Sequence, residues 1–244
     1  MKYTEIARLS LASLVVAFGA LAVAPEALAQ QKPGITRNEM TKLLTDGIQR
    51  LQEGKLDDAI KNFTKLRLEC VSMLDSKSKA IVDYLLATAY YQKEDWENAR
   101  KLLEPFCDLY PKGTEDLSND RCIDSKVSLA SVYMKLSNWE NARKTLEFID
   151  KDSRSTGEQK LKAKVILTDV LQKEADSKSD EEKRKALATA ELILKTLTQG
   201  APNTPEAIEA KQKLVEIYLK EGKRAEAEAL KAEIDSAGSK DPAA

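Results

Sequence analysis

Leu86–Glu104 reads LATAYYQKEDWENARKLLE, and 43 residues further on Leu129–Glu147 reads LASVYMKLSNWENARKTLE. Eleven of the 19 positions are identical: Leu, Ala, Tyr, Trp, Glu, Asn, Ala, Arg, Lys, Leu and Glu, in that order. Self-similarity of this density at a fixed period marks a repeat architecture. Each copy carries a large apolar residue, a small one beside it and an aromatic three positions after the small one. A polar turn follows, then a small residue with a large apolar one four positions later. These residues are Leu86, Ala87, Tyr90, Ala99 and Leu103 in the first copy, and Leu129, Ala130, Tyr133, Ala142 and Leu146 in the second. The spacing describes two helices packed as a hairpin: small residues let the helices approach, and the aromatic fills the space beside them.

Fainter copies lie on either side. Upstream are Gly47, then Gly54-Lys55-Leu56-Asp57-Asp58-Ala59-Ile60 and Phe63; downstream are Leu214 through Tyr218 and Gly222-Lys223-Arg224-Ala225-Glu226-Ala227. A further unit is expected between them. Leu161, Val165, Ile166, Val170 and Leu171 give one amphipathic helix, with Ser155-Thr156-Gly157-Glu158 as its capping box. Its partner would run from Asp180, capped by Ser179 with Glu182, to Leu197, with Ala190 and Leu194 in the second-helix pattern. Thr204-Pro205-Glu206 then opens the last hairpin with a cap residue followed by proline. Pro105 falls inside a helical run, where it should kink the helix.

These residues resemble the tetratricopeptide repeat (TPR) family. The resemblance implies an all-α fold, a right-handed superhelical solenoid of about five TPR-like hairpins over 39–235, at about 40–70, 79–110, 120–150, 158–198 and 205–234. Its repeat anchors would be Ala59, Ala99, Ala142, Ala190 and Ala227, spaced 40, 43, 48 and 37 residues apart, against a family period of about 34. Trp96 and Trp139 stand at equivalent places at the start of second helices. They read either as inter-repeat packing residues or as a ligand clamp, and their equivalence favours packing.

Composition excludes much chemistry. The chain has 244 residues, 32% of them charged, with 39 Lys and Arg against 40 Asp and Glu, and no histidine. Without histidine there is no Ser-His-Asp or Cys-His nucleophile pair and no imidazole metal ligand. Near-zero net charge argues against nucleic acid as a partner. Asp57-Asp58 and Asp180-Glu181-Glu182 could be read as paired carboxylates, but they stand at helix starts, where the dipole favours negative charge. A histidine-independent hydrolase is the one enzymatic alternative. The favoured reading is non-catalytic and needs no cofactor.

At the N-terminus, Lys2 and Arg8 precede an uncharged run, Leu9–Ala24, and then Ala27-Leu28-Ala29. This is the layout of a secretory signal peptide over 1–29, cleaved between Ala29 and Gln30; an uncleaved anchor is the alternative. A flexible leader over 30–38, a disordered tail over 236–244 and a periplasmic or secreted location follow. No transmembrane segment is expected after cleavage. Cys70, Cys107 and Cys122 leave at least one thiol over. Cys107 and Cys122 flank a loop-like stretch and are read as either a disulfide or buried apolar thiols.

In this family the concave face is lined by first helices. By that resemblance the groove would comprise Leu44, Ile48 and Leu51; Tyr84, Thr88, Tyr91 and Gln92; and Val127, Ser131, Met134 and Lys135. Apolar centres with a few hydrogen-bonding groups suit a protein or peptide partner. The expected function is an exported scaffold that binds an envelope protein or peptide. In size and layout it is similar to repeat subunits of outer-membrane or cell-division assembly complexes.

Overall fold

The computed structural model describes residues 35–109, 119–176, 178–200 and 204–238. The expected signal peptide and its cleavage site lie outside them. Among the described residues there are ten helices and no strand. They fall into two compact units, divided between Leu136 and Ser137.

The first unit holds α1 (Arg37–Gln52), α2 (Leu56–Glu69), α3 (Ser76–Gln92), α4 (Trp96–Leu109) and α5 (Asn119–Lys135). Each packs on the next in chain order. Helix α1 begins at Arg37, inside the stretch expected to be leader, because Thr36 and Glu39 form a reciprocal capping box: the Glu39 N–H donates to Thr36 Oγ1 at 3.3 Å and the Thr36 N–H donates to Glu39 Oε2 at 2.7 Å. Its buried stripe is Met40, Leu44, Gly47, Ile48 and Leu51, the recurrence of one helical face. Gly47 lies against the fully buried ring of Phe63 on α2. A Cβ at residue 47 would stand 2.6 Å from Phe63 Cε1. The small residue of the first hairpin is therefore fixed by the ring it admits.

Helices α4 and α5 are joined by a polar clasp. The Tyr133 hydroxyl donates to Glu104 Oε1 at 2.7 Å, and Arg100 Nη1 donates to both Glu104 oxygens at 3.0 Å. Arg100 also reaches Glu97, one turn before it on the same helix. Lys126, buried on α5, donates from Nζ to the Cys107 carbonyl at 3.2 Å and so occupies an acceptor in the last turn of α4. Helix α4 continues through Pro105, which is exposed.

The second unit holds α6 (Trp139–Lys151), α7 (Gly157–Ala175), α8 (Asp180–Gly200), α9 (Pro205–Lys220) and α10 (Arg224–Gly238). Again successive helices pack, and α7 also meets α9. Val165, Leu194, Leu197, Ala210, Leu214, Ile217 and Ala227 form one core there. The capping box of α7 is Thr156 with Gln159, one residue later than expected. Helix α10 runs to Gly238, into the stretch read as tail.

The turns after α1, α3, α5 and α9 share a conformation. Gly54 (φ 73°), Glu94 (φ 62°), Ser137 (φ 55°) and Gly222 (φ 76°) all adopt the left-handed region. After α1, α3 and α9 the turn closes with the paired bonds of a Schellman motif: Gly54 N–H to Leu51 O (3.2 Å) with Lys55 N–H to Arg50 O (2.8 Å), and likewise at Glu94–Asp95 and Gly222–Lys223. The N-terminal cap of the next helix differs. Asp95 Oδ1 accepts from Asn98 N–H at 3.2 Å and Asn138 accepts from Asn141 N–H at 3.3 Å. After the glycines stand Lys55 and Lys223, whose side chains have no acceptor to offer.

The alanines Ala59, Ala99, Ala142, Ala190 and Ala227 are all buried. Cys70, Cys107 and Cys122 are buried, and the structure holds them as thiols with no bond between the Cys107 and Cys122 sulfurs. Each sulfur already sits in the buried face of its segment as a small apolar group. Burial pushes the Cys107 thiol up to about 12, with Lys126 pulling the other way.

Candidate binding face on the first helices

Four of the expected groove residues are core residues. Leu44, Ile48 and Leu51 are 4%, 7% and 2% exposed. The apolar stripe of α1 is the side it buries, and Thr41, Lys42, Thr45 and Gln49 face outward. Tyr84 is also buried, its ring tilted against Phe106 of α4 with centroids 5.5 Å apart. The remaining positions are on α3 and α5. Thr88, Tyr91, Gln92, Val127 and Met134 are partly exposed, and Lys135 is exposed. Ser131 is buried and donates to the Val127 carbonyl at 3.1 Å.

The structure brings part of this set together around a residue that the sequence assigned to packing. Trp96, the first residue of α4, is partly exposed. Tyr91 of α3 meets it edge-on, with centroids 5.4 Å apart and planes at 81°. Lys135, at the end of α5, places its Nζ 5.5 Å from the Trp96 ring centroid. Burial pushes the Tyr91 phenol pKa upward, with the neighbouring Ser131 side chain opposing. Three helices thus contribute to one aromatic shelf with a cation at its edge. An ammonium over an exposed indole contributes about 0.5–1 kcal/mol, which holds Lys135 in place without removing it from solvent.

Comparing equivalent positions separates scaffold from site. Arg100 and Arg143 recur, and both are paired within the scaffold: Arg143 bonds Glu147 at 3.1 Å and lies 3.6 Å from Glu174 of α7. Tyr91 and Gln92, by contrast, have Met134 and Lys135 as their counterparts 43 residues on. The face changes where the packing does not. Among the described residues no group of His, Cys, Asp or Glu side chains is arranged to hold a metal. None of the described helices is long and apolar enough to cross a membrane.

Helical hairpins with these anchors define a TPR-like repeat protein. Two solved structures of kinesin-light-chain TPR-like repeats from Podosopora anserina, the second a point variant, share the fold: each has a TM-score of 0.62 and 19% identity. The first match covers 84% of this chain and 97% of that one, and the second 82% and 95%. The all-α TPR-like solenoid class expected from the sequence is thereby established. A family model described as YfiO, outer membrane lipoprotein, matches residues 36–218, and the chain belongs to that family. No curated protein matches the chain.

Proposed function

We propose that this chain is an exported, non-catalytic scaffold that binds a protein or peptide of the cell envelope through the α3–α5 face. The observation that carries this reading is the shelf of Tyr91, Trp96 and Lys135. It is a partly exposed aromatic cluster on a scaffold whose alanine and leucine repeat anchors are buried. Interfaces draw their binding energy from such aromatic anchors. Family membership supports work at the outer membrane as one subunit of an assembly complex. A photo-crosslinker placed at Gln92 should capture a defined envelope protein in whole cells. Capture should be lost with Tyr91→Ala combined with Trp96→Ala in a protein that still folds. Unchanged capture by that double variant would overturn the assignment of this face. Tyr84→Ala is the wrong probe, because it removes a core ring.

A second reading concerns attachment. The family description is of lipoproteins, yet the first cysteine of this sequence is Cys70, which is fully buried at the end of α2. An acyl chain on that sulfur would have to pass through packed helices. We propose that the subunit is held at the membrane through its partners, with Cys70 unmodified, and is released from membranes by high salt. Retention until detergent is added would refute it.

A further inference from the structure

We infer that the partner segment seated on the α3–α5 face carries a carboxylate that pairs with Lys135, beside an apolar side chain on the Trp96–Tyr91 shelf. This inference rests on the binding face proposed above and goes on to the chemistry of its occupant.

Three observations point to an anion. First, Lys135 is exposed and, among the described residues, forms no ion pair, whereas Lys93, just past the end of α3, is bound to Asp57 on α2 at 2.5 Å. Second, the groups the shelf itself joins to Lys135 are neutral, the Trp96 ring and the Tyr91 ring against it, while the carboxylates flanking Trp96 are engaged elsewhere, Asp95 with Asn98 and Glu97 with Arg100. Third, the charge is no part of the repeat. The counterpart of Lys135 in the preceding hairpin is the neutral Gln92, so the repeat does not call for a cation at this position.

The geometry also says how a carboxylate would be received. With Nζ 5.5 Å from the indole centroid, one side of the ammonium faces the ring, and its other donors are free for an oxygen acceptor. The ring contact pre-orders the long side chain, so less rotamer freedom is lost on pairing. Trp96 supplies flat apolar area immediately beside the charge. A short acidic–apolar sequence in extended form satisfies both at once, since neighbouring side chains can then straddle the ammonium and the ring. A basic segment would meet Lys135 as a like charge, and a purely apolar one would leave the ammonium desolvated and unpaired.

The test uses the full chain with Trp139→Phe, so that indole fluorescence reports Trp96 alone. Probes are three fluorescence-silent 12-residue peptides of repeating Asp-Leu-Ser, Asn-Leu-Ser and Lys-Leu-Ser. The expected result is quenching or a spectral shift of Trp96 on adding the acidic peptide. Its affinity should exceed that of the amide peptide by about tenfold at low salt, and the ratio should shrink towards one near 1 M salt, where screening acts within about 3 Å. Lys135→Met should bring the ratio to one while amide-peptide binding persists, and Lys135→Arg should preserve it. Equal affinity for the acidic and amide peptides, or a ratio unchanged in Lys135→Met, overturns the inference and leaves the face itself standing. No Trp96 response to any of the three peptides overturns it as well. The face reading then stands or falls separately on whole-cell capture at Gln92.

Discussion

Replacing Gly47 by alanine tests how closely α1 lies against α2. The added Cβ would stand 2.6 Å from Phe63 Cε1 and 3.0 Å from two further ring carbons. Carbon pairs rest at about 3.5–4.0 Å, so the ring would have to withdraw by about 1 Å. Phe63 is fully buried, and any withdrawal pushes on its neighbours; overpacking of this kind costs about 1–3 kcal/mol. Against this, alanine is favoured over glycine within a helix by about 1 kcal/mol. A net loss on the order of 1 kcal/mol is expected for Gly47→Ala. Phe63→Leu alone should cost about 1–2 kcal/mol by leaving a void. The double variant should be no worse than Phe63→Leu, because the new methyl fills space the ring has vacated. A favourable coupling of about 1–2 kcal/mol would follow from a double-mutant cycle measured by urea denaturation with far-UV circular dichroism. Single effects that add to within about 0.3 kcal/mol, or a Gly47→Ala protein more stable than the parent, would refute the packing argument.

Glu94→Gly and Ser137→Gly each relieve a left-handed backbone while keeping the Asp95 and Asn138 caps. Each should raise stability by about 0.5–1 kcal/mol and the melting temperature by about 1–4 °C; an unchanged or lower melting temperature would count against strain at these turns. Tyr133→Phe removes the donor to Glu104 and should cost about 1 kcal/mol, most visible as faster hydrogen exchange in α4 and α5. The Cys107 thiol, pushed up to about 12 by burial, favours the protonated form in the folded chain. Its contribution is whole below the unfolded value of about 9 and is lost as pH rises towards 12. Stability should therefore fall above about pH 9, by up to ~1.4 kcal/mol per pH unit from this group, and Cys107→Ala should flatten that slope. The same burial predicts that Cys107 resists a thiol reagent until denaturant is added.

The helices and their anchors were legible because a repeat writes the same packing twice. Ala87 and Ala130, or Leu103 and Leu146, stand out once the 43-residue shift is seen. The binding face was less legible. Family position placed Leu44, Ile48 and Leu51 in a groove, but their 4- and 3-residue spacing is itself that of a buried stripe, and burial prevailed. Ser155 and Thr156 are both cap residues followed three positions later by Glu or Gln, and only backbone geometry selects Thr156. Contacts such as Tyr133 to Glu104, 29 residues apart, or Lys135 to Trp96 depend on the register between neighbouring helices. No local pattern encodes that register. The one available signal was divergence between equivalent positions, Gln92 against Lys135.

The four left-handed turns have a consequence for how such repeats drift apart. Two are built as glycine followed by an uncapped lysine, and two as a strained residue followed by an Asp or Asn cap. Losing a cap and straining one residue are each worth about 1 kcal/mol, so the two dipeptides are nearly interchangeable currencies of the same bend. Gly-Lys, Glu-Asp and Ser-Asn can then be exchanged between hairpins as cassettes without disturbing the helices on either side. A sequence profile centred on the turn would split one structural family into two. The turn's constancy lies in its dihedral angles, and a chimera with the four cassettes permuted should fold as the parent does.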